Sequence, residues 1–222
     1  MVVKDCNFSV HKGEMIGLMG ESGSGKSTLA KLLLGLEKPS QGEILLDGQP
    51  YSVKKSGVRI LLVFQDSLHS VNPNFTVEQV LTEALPKDVA REEIEAILED
   101  VGLDKSFLSQ PARQLSGGQL QRICIARGLL LKPDILIFDE ALSGLDPIVQ
   151  GRLLRLLYDL WEKYQLTYVF ISHDFKLSYA LCHRILVMAD GEIVDEIKDF
   201  ELPIQAHHPV TKKLIGDKGH FS

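Results

Sequence analysis

The chain has 222 residues, 45% of them hydrophobic and 24% charged, and its 24 Lys and Arg against 30 Asp and Glu leave a net charge of −6 at pH 7. That is enough for one large domain, or a core with a lobe, around an ample apolar interior, and the acid excess argues against broad nucleic-acid binding. No apolar run nears the roughly 20 residues of a membrane span, and the start lacks a signal peptide's charged-then-apolar layout, so the chain is expected in the cytoplasm, reaching a membrane only through a partner.

Met15 to Met19 is a short apolar run that reads as a strand. It ends at Gly20-Glu21-Ser22-Gly23-Ser24-Gly25-Lys26-Ser27, followed by Thr28, which fits G-x-x-x-x-G-K-[ST]. Small residues there let backbone N–H groups curl around phosphate oxygens, and the next helix points its positive end at the same charge. Lys26 would reach the β- and γ-phosphates, and the Ser27 hydroxyl would ligate Mg²⁺. Ser27 to Leu36 carries leucines at helical spacing, with Gly35 near its end. Residues 42–48 alternate briefly and end in Asp47-Gly48, which predicts a small antiparallel piece. Ile60 to Phe64 reads as a buried strand running into Gln65.

From Val89 to Val101 the apolar positions keep a helical period, Gly102 supplies a stop, and the acidic outer face suits solvent. A second helix follows Gly118. Ile135 to Phe138 is a continuous apolar run of the kind found in parallel strands buried on both faces, and it ends in Asp139-Glu140. An acidic pair there suits a phosphate site, with Asp139 near the metal and Glu140 near the attacking water. Asp146-Pro147 reads as an N-cap with proline at the first helical position, opening a leucine-rich helix to about Tyr164. Thr167 to Ile171 is another strand, ending at Ser172-His173-Asp174. Ile185 to Met188, Asp190-Gly191 and Glu192 to Ile197 predict a closing hairpin, and the tail from Pro203 has lower apolar density. Alternating strands and helices with motifs at strand ends predict an α/β fold with its ligand along the carboxyl edge of the sheet. Cys6, Cys124 and Cys182 are widely separated, which predicts small buried hydrophobes rather than disulfides.

Leu115-Ser116-Gly117-Gly118-Gln119 carries the family resemblance: the chain resembles the ATP-binding-cassette (ABC) ATPases. Physically the segment is a second anion-binding helix start, with a serine hydroxyl and two glycine N–H groups. The resemblance covers nearly the whole chain. It implies a P-loop NTPase core of ABC ATPase type with a small antiparallel β piece and a helical lobe, one domain over 1–222 with its core at 1–65 and 132–222 and the lobe at about 66–131. It also implies that Gln65 coordinates Mg²⁺ and senses the partner, that Ser143-Gly144-Leu145-Asp146 crosses a dimer interface, and that His173 contacts the γ-phosphate. ABC ATPases pair head to tail, so Ser116, Gly117, Gly118 and Gln119 would serve ATP held on the partner's phosphate loop.

Two further stretches resemble the subfamily serving dipeptide, oligopeptide and nickel importers: Phe64-Gln65-Asp66-Ser67-Leu68-His69-Ser70-Val71-Asn72-Pro73, and His208-Pro209-Val210-Thr211-Lys212-Lys213-Leu214. This implies an importer ATPase at the cytoplasmic face of the membrane. Its partners would be a second ABC ATPase, as a heterodimer or with itself, two permease subunits docked on the lobe, and an extracytoplasmic binding protein, with no nucleic acid. Its ligands would be ATP and Mg²⁺. His207 and His208 are expected to be simple surface residues. No iron–sulfur cluster is expected, because the cysteine-rich extension of the subfamily has no counterpart here. Only nineteen residues precede Gly20, so the family's first strand and adenine-stacking aromatic are expected to be missing, with Phe8 a core residue. The competing functional readings are a regulatory or nucleic-acid-associated ABC clamp and a P-loop kinase or GTPase.

Overall fold

A computed structural model of the chain describes residues 2–53, 59–64, 70–85, 89–140, 146–198, 200 and 204–216. Among the described residues the main sheet has six strands: β1 (Met15–Gly20), β4 (Ile60–Phe64), β5 (Ile135–Asp139), β6 (Thr167–Ile171), β7 (Arg184–Ala189) and β8 (Glu192–Ile197). Their order is β4-β5-β6-β1-β7-β8. The first five run parallel and β8 closes the edge antiparallel to β7. β2 (Leu45–Leu46) and β3 (Gln49–Pro50) form the small antiparallel piece, turned by Asp47 and Gly48, both at positive φ.

The continuous apolar runs are explained by burial of both sheet faces. Met15 and Met19 belong to one apolar cluster, and Ile16 and Leu18 to the other, as the period of two demands. The first cluster joins Phe138, Tyr168 and Phe170, with ring centroids 4.9–5.6 Å apart, to the helices α2 (Val77–Thr82), α3 (Arg91–Asp100), α4 (Gly117–Leu130), α5 (Pro147–Tyr164) and α6 (Phe175–Leu181). The second takes in α1 (Lys26–Leu33), and Phe8, expected in the core, packs against it only half-buried. Among the described residues no helix is long and apolar enough to cross a membrane.

Several boundaries differ from the sequence reading. α1 stops at Leu33 rather than Leu36, because Leu36 N–H bonds Lys31 O and Gly35 N–H bonds Leu32 O, the paired bonds of a Schellman C-cap. α2, α6 and α7 (Pro209–Ile215) went unpredicted. Each has six or seven residues, too few for apolar periodicity to stand out. Cys6 is only half-buried, its thiol 3.3 Å from Gly191 O, whereas Cys124 and Cys182 are buried as expected.

Candidate functional site

The parallel topology carries the ends of β1, β5 and β6 to one edge of the sheet. At Gly20 the backbone φ is +154°, and a Cβ there would lie 2.3 Å from Met188 O on β7, so only glycine lets the loop leave β1 this close to its neighbour. The loop is braced internally by Ser24 N–H on Glu21 O (3.2 Å). Gly191 N–H, in the β7–β8 turn, binds Ser24 O (3.0 Å).

Gly25 precedes α1 with no side-chain cap, so the first-turn N–H groups of Lys26, Ser27 and Thr28 lack intrahelical partners. Lys26 is buried, and its ammonium donates to Gly20 O (2.7 Å), Glu21 O (2.9 Å) and Ser24 Oγ (3.4 Å). Burial lowers its pKa, while Glu140 and Asp139 pull the other way. A cation held on loop carbonyls at the positive end of a helix is a donor ready to exchange those carbonyls for phosphate oxygens. Ser27 is exposed beside it.

Asp139 ends β5, in register with Ile171 of β6. Burial pushes its carboxyl above the ordinary aspartate range, neighbouring Glu140 adds to this, and Lys26 opposes it. Glu140 follows at φ +49°, with its N–H on Ile171 O at 2.9 Å, a left-handed backbone that costs a non-glycine residue about 1–2 kcal/mol. His173, just past β6, places Nδ1 3.2 Å from Glu140 Oε1. It is followed by Asp174, which caps α6 by accepting Leu177 N–H (3.2 Å) and itself donates N–H to Ser172 Oγ (3.0 Å).

The signature segment opens α4. Ser116 is its N-cap: Gln119 N–H binds Ser116 Oγ (3.3 Å), and Ser116 N–H binds Gln119 Oε1 (2.9 Å). This capping box leaves Ser116 and Gly117 exposed and Gly118 and Gln119 half-exposed. Asp146 caps α5, accepting Ile148 N–H and Val149 N–H at 3.0 and 3.1 Å, with Pro147 first in the helix. Gln65, and Ser143 to Leu145, lie outside the described residues.

The tail supplies a contact that sequence reading missed. His208 is not a bare surface residue: its ring accepts Val210 N–H (3.3 Å) and caps α7. Thr211, fully buried, donates to Asp195 on β8, and Lys213 on α7 binds Glu21 of the phosphate loop.

A glycine-rich loop opening a helix, a buried lysine on it, and an acid pair and histidine at adjacent strand ends define a P-loop nucleoside triphosphatase. The chain belongs to the ABC transporter family, whose model matches residues 3–143. It is thus an ATP-binding protein and an ATPase. It is 41% identical over 233 residues to the nickel import ATP-binding protein NikE of Escherichia coli O6:K15:H31 (strain 536 / UPEC), covering 100% of this chain and 81% of that protein. It is 38% identical over 221 residues to the metal-staphylopine import system ATP-binding protein CntF of Staphylococcus aureus (strain NCTC 8325 / PS 47), covering 96% and 88%. Among solved structures it resembles CbiO1 of Clostridium perfringens, part of the ABC transporter complex CbiONQ (TM-score 0.80, 28% identity, covering 88% and 81%). It also resembles the dimeric ATP-binding cassette MJ0796 in a post-hydrolysis state bound to ADP and Pi (TM-score 0.72, 28% identity, covering 89% and 90%).

Proposed function

We propose that this chain is the ATP-hydrolysing subunit of an importer, peripheral to the cytoplasmic face of the membrane, energising uptake of nickel, a metal chelate or peptide through a permease. The observation that carries this is the convergence of phosphate loop, acid pair and His173 on one sheet edge in a chain alike over its whole length to NikE. Kinase and GTPase readings do not suit the family, and no observation favours the clamp.

In this reading the loop N–H groups and Lys26 hold the β- and γ-phosphates. The Ser27 hydroxyl and the Asp139 carboxylate are hard oxygen donors flanking the loop, a set that fits Mg²⁺, with Gln65 as a further ligand. Bound there, Mg²⁺ would offset charge on the phosphate oxygens. Glu140 takes a proton from the attacking water, and His173 orients Glu140 and contacts the γ-phosphate.

Ser116 to Gln119 serve ATP on a partner cassette: the Ser116 oxygen accepts from its own helix, so its proton is free to be donated to a phosphate oxygen. Asp146 positions the crossing loop. The partner is a second ABC ATPase, forming a heterodimer, or a copy of this chain. Hydrolysis reopens the pair, and two permease subunits, fed by an extracytoplasmic binding protein, turn that motion into transport.

A cleft of about 150 Å³ separates β4 from the lobe, lined by Leu61, Val63, Ser70, Glu83 and Arg127 among others. Arg127 is held in its wall by Ser70 O (3.0 Å) and Glu83 (2.8 Å). We assign this cleft to the permease, which leaves cargo recognition to the membrane partners.

The test is affinity purification of the chain from native membranes, with mass spectrometry of what accompanies it. Recovery of two permease subunits and a second ATPase is expected. A chain that leaves the membrane fraction with no permease would overturn the importer reading.

A further inference from the structure

The carboxyl-terminal helix α7 is fixed by more than its own seven residues. Asp195 on β8 is 9% exposed, and its Oδ2 accepts both His208 N–H (2.8 Å) and the hydroxyl of Thr211, which is 0% exposed. One buried carboxylate thus holds the cap and the first turn of α7, and the next turn presents Lys213 to the carboxylate of Glu21, the first residue after β1. That ion pair keeps the Glu21 carboxyl below the usual glutamate range. The backbone carbonyl of the same Glu21 also accepts a hydrogen bond from Lys26.

These contacts give Lys213 leverage on the nucleotide. A triphosphate arriving in the loop meets the negative charge of Glu21 at its edge, and Lys26 must give up the carbonyls of Gly20 and Glu21 to reach the phosphates. An unpaired Glu21 carboxylate would repel the incoming anion, and pairing with Lys213 lessens that repulsion. Resting on the nucleotide-binding reading of the loop, we propose that Lys213 is a positioning residue of the ATP site, acting through Glu21, so that the carboxyl-terminal helix forms part of the phosphate-binding apparatus.

The test is a double-mutant cycle on the full chain, reading the Kd of magnesium β,γ-imido-ATP by calorimetry. Lys213→Ala is expected to weaken binding about two- to fivefold, the range an exposed ion pair supports, and less in high salt. Lys213→Arg should restore the wild-type Kd, and Lys212→Ala, on the same helix, should leave it unchanged. In a Glu21→Gln background the loss from Lys213→Ala should vanish. Loss of equal size in both backgrounds would mean that Lys213 acts directly on the nucleotide and would overturn the proposal, as would an unchanged Kd for Lys213→Ala. A merely structural role would move the melting temperature and leave the Kd alone. Failure of the wild-type chain to bind nucleotide would refute the loop reading itself, a result distinct from either.

Discussion

His173 Nδ1 and Glu140 Oε1 lie 3.2 Å apart across the ends of two neighbouring strands. If Glu140 is the general base, Glu140→Gln keeps the hydrogen-bonding shape and removes the basicity. Turnover should fall about 10²–10⁴-fold while ATP still drives pairing of cassettes. Single-turnover hydrolysis, together with sedimentation in ATP, checks both halves. Near-normal turnover would remove Glu140 from the role.

Ser116 carries two duties that can be separated. Ser116→Ala should cost about 1 kcal/mol of stability through loss of the α4 cap. Ser116→Asp preserves the cap and suits the helix dipole but puts a negative charge where the partner's γ-phosphate would dock. It should therefore be as stable as wild type to urea and yet fail to pair in ATP. Normal pairing by the Asp variant would mean that the segment meets no phosphate.

Two glycines of the loop should respond very differently to the same methyl group. At Gly20 a Cβ would collide with Met188 O at 2.3 Å, whereas at Gly23, φ +84°, it meets nothing within 4 Å among the described residues. Gly23→Ala is expected to cost about 1–2 kcal/mol, the left-handed penalty alone. Gly20→Ala should cost more than about 3 kcal/mol and abolish nucleotide binding. Urea denaturation and calorimetry of the pair would show the contrast.

At the opposite edge of the sheet, Arg184 is buried between Glu14 and Glu196 and also donates to Ser9 O. Burial pushes the Glu14 carboxyl up, but the hydrogen bond and charge of Arg184 outweigh it, so its net pKa lies below the ordinary glutamate value of 4.5. A depressed folded-state value means that the stabilisation is complete above the unfolded-state pKa and is lost as pH falls through the folded one. Glu14→Gln should lower stability at neutral pH and flatten the loss below about pH 4.5. Denaturant titrations of both proteins from neutral pH to about pH 3 test this, and parallel curves would exclude Glu14 as a contributor.

Much of the candidate site is legible in the sequence because its chemistry is local. Eight consecutive residues spell the phosphate loop, whereas the acid pair and His173, each following an apolar run, take their expected roles from the motif order and the family resemblance. Asp146-Pro147 reads as a cap from sequence alone, and Asp146 accepts both the Ile148 and Val149 N–H groups. The same grammar stands at His208-Pro209, where imidazole replaces carboxylate, but the low apolar density of the segment hides it. What no local pattern encodes is which distant groups meet. Lys213 touches Glu21, and Thr211 reaches Asp195, only because β7 and β8 fold back beside β1. The half-buried state of Cys6 likewise depends on the Gly191 turn.

The position of β1 between β6 and β7 has a consequence for synthesis. Among the described strands, the one that bears the phosphate loop precedes the others, yet both its neighbours, and the Gly191 N–H that braces Ser24, lie far downstream. A nascent chain halted before Thr167 has no partner strand for β1, and its loop closes only after long-range pairing that is slow to form. Nucleotide held on the loop would then stabilise the fold only once β6 and β7 have paired with β1.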